Sequence, residues 1–246
     1  MPDLRIKFSK HGALRYIGHL DVMRYFQKCI RRADLDIAYT GGFSPHQIMS
    51  FASPLGVGLE SDGEYMDIRM NSYPSAREVM DALNAASVPE IRVLFVGELP
   101  ENAGNAMASV YAADYEVRLR GDRIPASWRH AYETWDPAYF QGEITRFLEQ
   151  PEILLEKEGK KGTRMVDIKA GILDFRPLED PGFFLRLNAS SAGNVKPVQV
   201  FSLLMPFSAG EALPENGLLV TRKEMYTNTA VQDDPIRLIP LWEVCR

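Results

Sequence analysis

Cysteine is scarce in this 246-residue chain: Cys29 and Cys245 are the only two, far apart and outside any CxxC pair. They suggest neither a disulfide framework nor a cysteine-rich metal site, and three closely spaced cysteines able to hold an iron–sulfur cluster are missing. Cys29 falls within a helical pattern and reads as a small buried apolar residue. Apolar runs of eighteen or more residues are absent too, and the N-terminus MPDLRIKFSK enters an alternating pattern with no apolar leader. A cytoplasmic protein without membrane contact is expected. A GxxxxGK[ST] phosphate loop, a dinucleotide fingerprint and a haem motif are all lacking, so no cofactor is expected in this chain.

An overall excess of positive charge is also lacking, since the net charge is −5, but the distribution is uneven. Residues 1–33 hold eight basic residues against Asp3 and Asp21, which gives +6 and leaves −11 for the remainder. Such asymmetry marks either a surface for an anionic partner or a solvated charged face.

What is present is a set of clear periodicities. Leu4, Ile6 and Phe8 alternate with Arg5, Lys7 and Ser9, the period of a half-buried strand, and Leu20, Met23, Phe26, Ile30 and Ala33 have helical spacing. Strands are predicted over 47–51, 65–70 and 91–96, with a helix after Ser75, whose Glu78 completes capping-box spacing. The order is β-α-β-β-α-β, the ferredoxin-like split unit. After a small, polar stretch at 101–110, the same order is predicted again. A strand starts at Tyr111, Asp136 and Pro137 open a helix, strands follow near 152–158 and 183–189, Pro197 opens a second helix, and a strand at 217–226 closes the series. An extra strand fits MVDIKAGIL. The expected fold class is therefore α+β, with two tandem ferredoxin-like lobes at 1–100 and 111–226, a linker at 101–110, and a tail at 227–246 that packs back onto a lobe or a partner.

Three places could carry chemistry. In GHLDVMR, His19 and Asp21 occupy the first turn of the basic helix. Asp21 suits the positive helix end, whereas His19 has no obvious packing duty and a ring able to donate, accept or ligate. Arg24, Lys28, Arg31 and Arg32 follow on one broad stripe, a site for phosphate or RNA backbone or a solubilising surface. In YTGGFSPH, Gly41 and Gly42 allow positive φ, and Pro45 stiffens the base from which His46 projects. Phe43 is expected to anchor this turn in the core, with stacking on a nucleobase as the other role. A second basic turn, EKEGKKGTR, carries Lys157, Lys160, Lys161 and Arg164 at a hairpin tip. His130, near Trp128 and Trp135, reads as structural.

The segments FSKHGALRYIGHLDVMR and RRADLDIAYTGGFSPHQIMSFASPLGVGLESDGEYMDI resemble the bacterial radical-SAM-linked protein family over about residues 4–70. The matching positions are His19, Leu20, Asp21, Arg24, Arg32, Gly42, Phe43, Pro45, His46, Gly58, Ser61, Glu64 and Asp67. Gly18 stands where the family usually has serine, and Gln47 where proline is common. The resemblance implies a domain fused to, or encoded beside, a radical-SAM enzyme that also has a cobalamin-binding region; because this chain lacks cluster cysteines, the iron–sulfur cluster with S-adenosylmethionine is expected in a separate partner chain.

These observations yield three expectations. The preferred one is a non-catalytic accessory protein that binds or presents an RNA substrate through Arg24, Lys28, Arg31, Arg32, Phe43 and His46. The second is an enzyme, with His19, Asp21 and His46 as an acid/base set for RNA processing or as a nitrogen/oxygen metal site near Glu64 or Asp67; no metal is predicted outside this alternative. The third is an assembly module that contacts no substrate.

Overall fold

The first alternating segment forms strand β1, Asp3–Lys10. Leu4, Ile6 and Phe8 are fully buried in an apolar core, but the opposite face is buried too. Arg5 lies at 0% exposure and grips Asp67 through Nε and Nη2 at 2.9 and 3.0 Å, while its Nη1 donates to the Leu241 carbonyl. Lys7 pairs with Glu224 at 2.6 Å. The half-buried strand expected from alternation is thus corrected: residues from the far end of the chain cover its polar face, and charge pairing makes that burial tolerable.

The chain is described here by a computed structural model over residues 1–101, 103–159, 162–230 and 234–246. It is an α+β protein with a large sheet and, among the described residues, six α-helices. It divides into two compact units, Met1–Ala112 with Arg222–Arg246, and Ala113–Thr221.

In the first unit, helix α1, His19–Arg32, starts at Gly18 and buries Val22, Phe26, Cys29 and Ile30. Strand β2, Met49–Phe51, is shorter than the predicted 47–51, and β3, Glu60–Arg69, is longer than the predicted 65–70. Helix α2, Ala76–Ala86, is capped by Ser75, whose hydroxyl accepts from the Glu78 amide at 3.2 Å, and β4 follows at Ile91–Glu98. β1 lies between β3 and β4, antiparallel to both, with Ile6 opposite Met66 and Val96; β2 pairs antiparallel with β3. The 101–110 stretch contains a short helix, α3, Ala106–Ser109, whose first amide donates to Asp67 at 2.6 Å. A buried carboxylate with a free oxygen lobe attracts such donors.

The second unit opens with β5, Ala112–Leu119, whose first residue belongs to the first unit, and continues through α4, Arg129–Glu133, and α5, Pro137–Leu148. Asp136 accepts from the Tyr139 amide at 3.0 Å, so α5 begins as its cap and first-turn proline predict. The segment predicted as a strand near 152–158 forms β6, Leu154–Gly159, which pairs with β7, Gly162–Asp167, in a separate two-stranded sheet. MVDIKAGIL divides between the end of β7, a 3-10 turn and the start of β8, Ile172–Pro177. Strand β9, Phe183–Asn188, helix α6, Pro197–Ser208, and β10, Leu218–Asn228, complete the order. In this unit the strands run β10, β5, β9, β8. Trp128, Phe140, Phe183 and Phe201 fill its core.

From Arg222 onward the chain belongs to the first unit. There β10 neighbours β3, and β11, Leu238–Pro240, pairs antiparallel with β10. The tail buries Leu241 and sets Trp242 against Phe95 with ring centres 5.6 Å apart.

Candidate functional site

Two concavities of the first unit gather the polar groups. The first forms where β1, β3 and the start of α1 meet. Period two places Lys10 in phase with Leu4, Ile6 and Phe8, and Glu64 in phase with Met66, Ile68 and Met70, so both charges sit on core-facing positions. Lys10 is 2% exposed and Glu64 6%. Arg222 Nη1 donates to both Glu64 oxygens, at 3.1 and 3.3 Å, and to the Ser53 carbonyl at 3.0 Å. The buried Ser61 hydroxyl donates to the Arg222 carbonyl.

Lys10 is handled differently. Among the described residues its ammonium makes no hydrogen bond and no close ion pair; Glu64 only attracts it through the field. Burial holds its pKa below the ordinary lysine value, an effect opposed by Glu64 and reinforced by Arg222. Burial likewise pushes the Glu64 carboxyl above its usual range, with Arg222 as the main opposing influence. The cleft onto which Lys10 and Glu64 open is walled by Phe8, Val22, Phe51 and Leu55, with His19 also in its lining. Its empty space is about 290 Å³ including the mouth, of which about 20 Å³ admits the centre of a water-sized group.

His19 has a packing role after all: its ring stands edge-on to Phe51 at 5.2 Å. The expectation that it has no such duty fails because β2 brings Phe51 to the helix start. Asp21 points to solvent and pairs with Arg24 at 3.2 Å.

The second concavity, about 180 Å³, lies between α1 and the GGFSPH turn and is lined by Gln27, Arg31, Tyr39, Pro45, His46 and Gln47. The turn is closed by reciprocal bonds: Thr40 donates its amide to the His46 carbonyl, and the His46 amide donates to the Thr40 hydroxyl. His46 Nδ1 lies 3.1 Å from the same hydroxyl. Gly42 adopts φ +99°, as the turn requires. Gln47 is 5% exposed and its Oε1 is a buried acceptor without a partner among the described residues. Phe43 is fully exposed and Tyr39 half exposed, which corrects the expectation that Phe43 anchors the turn in the core. The turn is held by its backbone and Thr40 instead, so the ring is not needed as an anchor.

Arg24, Lys28, Arg31 and Arg32 are all exposed on α1. Arg32 donates to the Ala86 carbonyl at the end of α2 and Arg31 Nε to its own helix at Gln27, so only part of the stripe faces outward unengaged. His19 and His46 line different concavities, and no group of three or more His, Cys, Asp or Glu among the described residues could hold a metal ion. Asp67 serves Arg5 and α3. In the second basic turn Lys157 stands opposite Arg164 across the hairpin and donates to the Asn194 carbonyl, while Lys160 and Lys161 lie outside the described residues. Lys10, Gln47 and Arg222 were missed as site residues by motif reading. The signal available for Lys10 was its phase in the strand alternation.

Fold and site together define an α+β protein with a buried charge cluster and an exposed aromatic and cationic edge. The chain belongs to the family described as uncharacterized protein conserved in bacteria (DUF2344), whose model matches residues 3–197. Among solved structures, a protein from Shewanella oneidensis described as a DyP-type peroxidase is similar at 12% identity and a TM-score of 0.22, over 86% of this chain and 85% of that one. No curated protein matches. No helix among the described residues is long and apolar enough to cross a membrane.

Proposed function

We propose that this protein is a non-catalytic accessory component that binds or presents RNA to a radical-SAM enzyme. The observation that carries the reading is the second concavity: Arg31, Tyr39, His46 and Gln47 line it, the Tyr39 ring is half exposed, and Phe43 of the same turn is fully exposed. Exposed rings accept bases by stacking, and the exposed Arg24, Lys28 and Arg31 suit phosphates. The partner rests on the resemblance of residues 4–70 to the radical-SAM-linked family. The iron–sulfur cluster, S-adenosylmethionine and cobalamin belong to that partner.

A tandem pair of ferredoxin-like lobes is supported by the strand orders β4-β1-β3-β2 and β10-β5-β9-β8, which repeat the same positions of a β-α-β-β-α-β series. A cytoplasmic setting accompanies this reading. The test is purification from cells with and without nuclease, identifying bound protein and bound RNA, followed by RNA titrations at several salt concentrations. Binding that weakens with salt supports the proposal. Absence of RNA binding, both alone and with the partner, sinks the RNA part, and a nuclease-resistant complex then favours the assembly reading.

A further inference from the structure

The first concavity has no place in RNA binding, and its chemistry is distinct. A lysine ammonium has three donors and no acceptor, so Lys10, 2% exposed and without a hydrogen-bond partner among the described residues, lacks a protein acceptor where it opens on the cleft. The carboxylate beside Lys10, Glu64, is engaged by Arg222. Arg222 takes both oxygens of that carboxylate, and Lys10 makes no hydrogen bond to it. An ammonium so largely withdrawn from water without a bonded counter-ion is costly to keep charged.

The surroundings specify the missing group further. His19 and Val22 are in the first turn of the fourteen-residue α1, so the positive end of that helix borders the cleft. The innermost space is small, about 20 Å³ for the centre of a water-sized group. The lining also includes the apolar Phe8, Phe51, Pro54 and Leu55, with Ser53 among them. Against such walls a singly charged anion with an apolar stem is cheaper to desolvate than a phosphate, and water brings acceptors but no charge.

We infer that the Lys10 cleft binds a small free monocarboxylate, with its oxygens accepting from Lys10 Nζ, its second oxygen within reach of His19, and a short apolar stem against Phe51 and Leu55. Lys10 is the counter-ion, and Glu64 with Arg222 fixes the floor. This inference is independent of the RNA-binding reading, because none of its residues lines the second concavity.

The test uses the full chain with ¹³C-labelled lysine, titrated with acetate at constant ionic strength. One lysine resonance should shift saturably, acetamide should leave it unmoved, and inorganic phosphate should move it less. Thermal unfolding should rise with acetate in the wild type and not in a folded Lys10→Met variant. The inference is overturned if no lysine responds saturably, if acetamide or phosphate acts as well as acetate, or if Lys10→Met keeps the acetate-dependent rise. Should the variant fail to fold, the three wild-type titrations decide.

Discussion

Arg5 and Asp67 form a two-pronged ion pair at 2.9 and 3.0 Å across β1 and β3, with Arg5 wholly buried. Asp67 also accepts from the first amide of α3, and Arg5 reaches the tail at Leu241. One pair therefore ties together the strand core, α3 and the end of the chain. Replacing Asp67 by Asn strands a buried guanidinium and should destabilise the protein by about 3–5 kcal/mol in urea unfolding. The replacement of Arg77, whose partner Asp81 is one helical turn away and exposed, should cost less than about 0.5 kcal/mol.

Lys10→Met should stabilise the ligand-free protein at neutral pH. The folded-state pKa of Lys10 lies below its ordinary value of 10.5, so its contribution to stability is present above that value and is lost as pH falls through the folded one. At pH 7, well below 10.5, the lysine is therefore a burden. Removing it should raise the unfolding midpoint at pH 7, and the difference from wild type should shrink as pH approaches 10.5. Thermal melts across that range, without added carboxylate, check this.

Phe43→Ala should leave stability within about 0.5 kcal/mol, because the ring has no packing to lose. If a base stacks there, RNA affinity should fall by about 1–3 kcal/mol. Arg31→Gln should instead flatten the salt dependence of binding, by about 0.7 in logarithmic slope for one lost phosphate contact on a single strand. Equal RNA affinity for wild type and both variants would remove this edge from the binding surface.

Cys245 should resist thiol reagents at pH 7–8. Burial pushes its thiol up to about 11, with Arg5 acting in the opposite direction, and the thiolate is the reactive form. Cys29 is fully buried against the Leu83 carbonyl and Ser87. Labelling of the native chain should be slow, and both thiols should react at once in denaturant.

Local signals were legible where local forces decide. Ser75 and Asp136 cap their helices as their spacing implies, and the Gly42 turn forms where glycine and proline set it. The site was legible only in part. His19, Glu64 and His46 could be named from motifs, but their grouping could not, since β2 assigns Phe51 to His19 and the turn assigns Thr40 to His46. The strand predicted near 152–158 left the main sheet because its pairing partner, β7, adjoins it in sequence and completes a local hairpin.

By itself the sequence determined the alternating and helical segments, their caps, the basic stripe of α1 and the exclusion of cysteine-bound clusters, since each follows from periodicity or residue chemistry within a short stretch. The tertiary structure decided what lies opposite. It turned the polar face of β1 into a second buried face, brought Arg222 onto Glu64 from 158 residues away, and left Lys10 facing a small empty space. Burial and charge compensation depend on residues distant in the chain, and no local pattern encodes them.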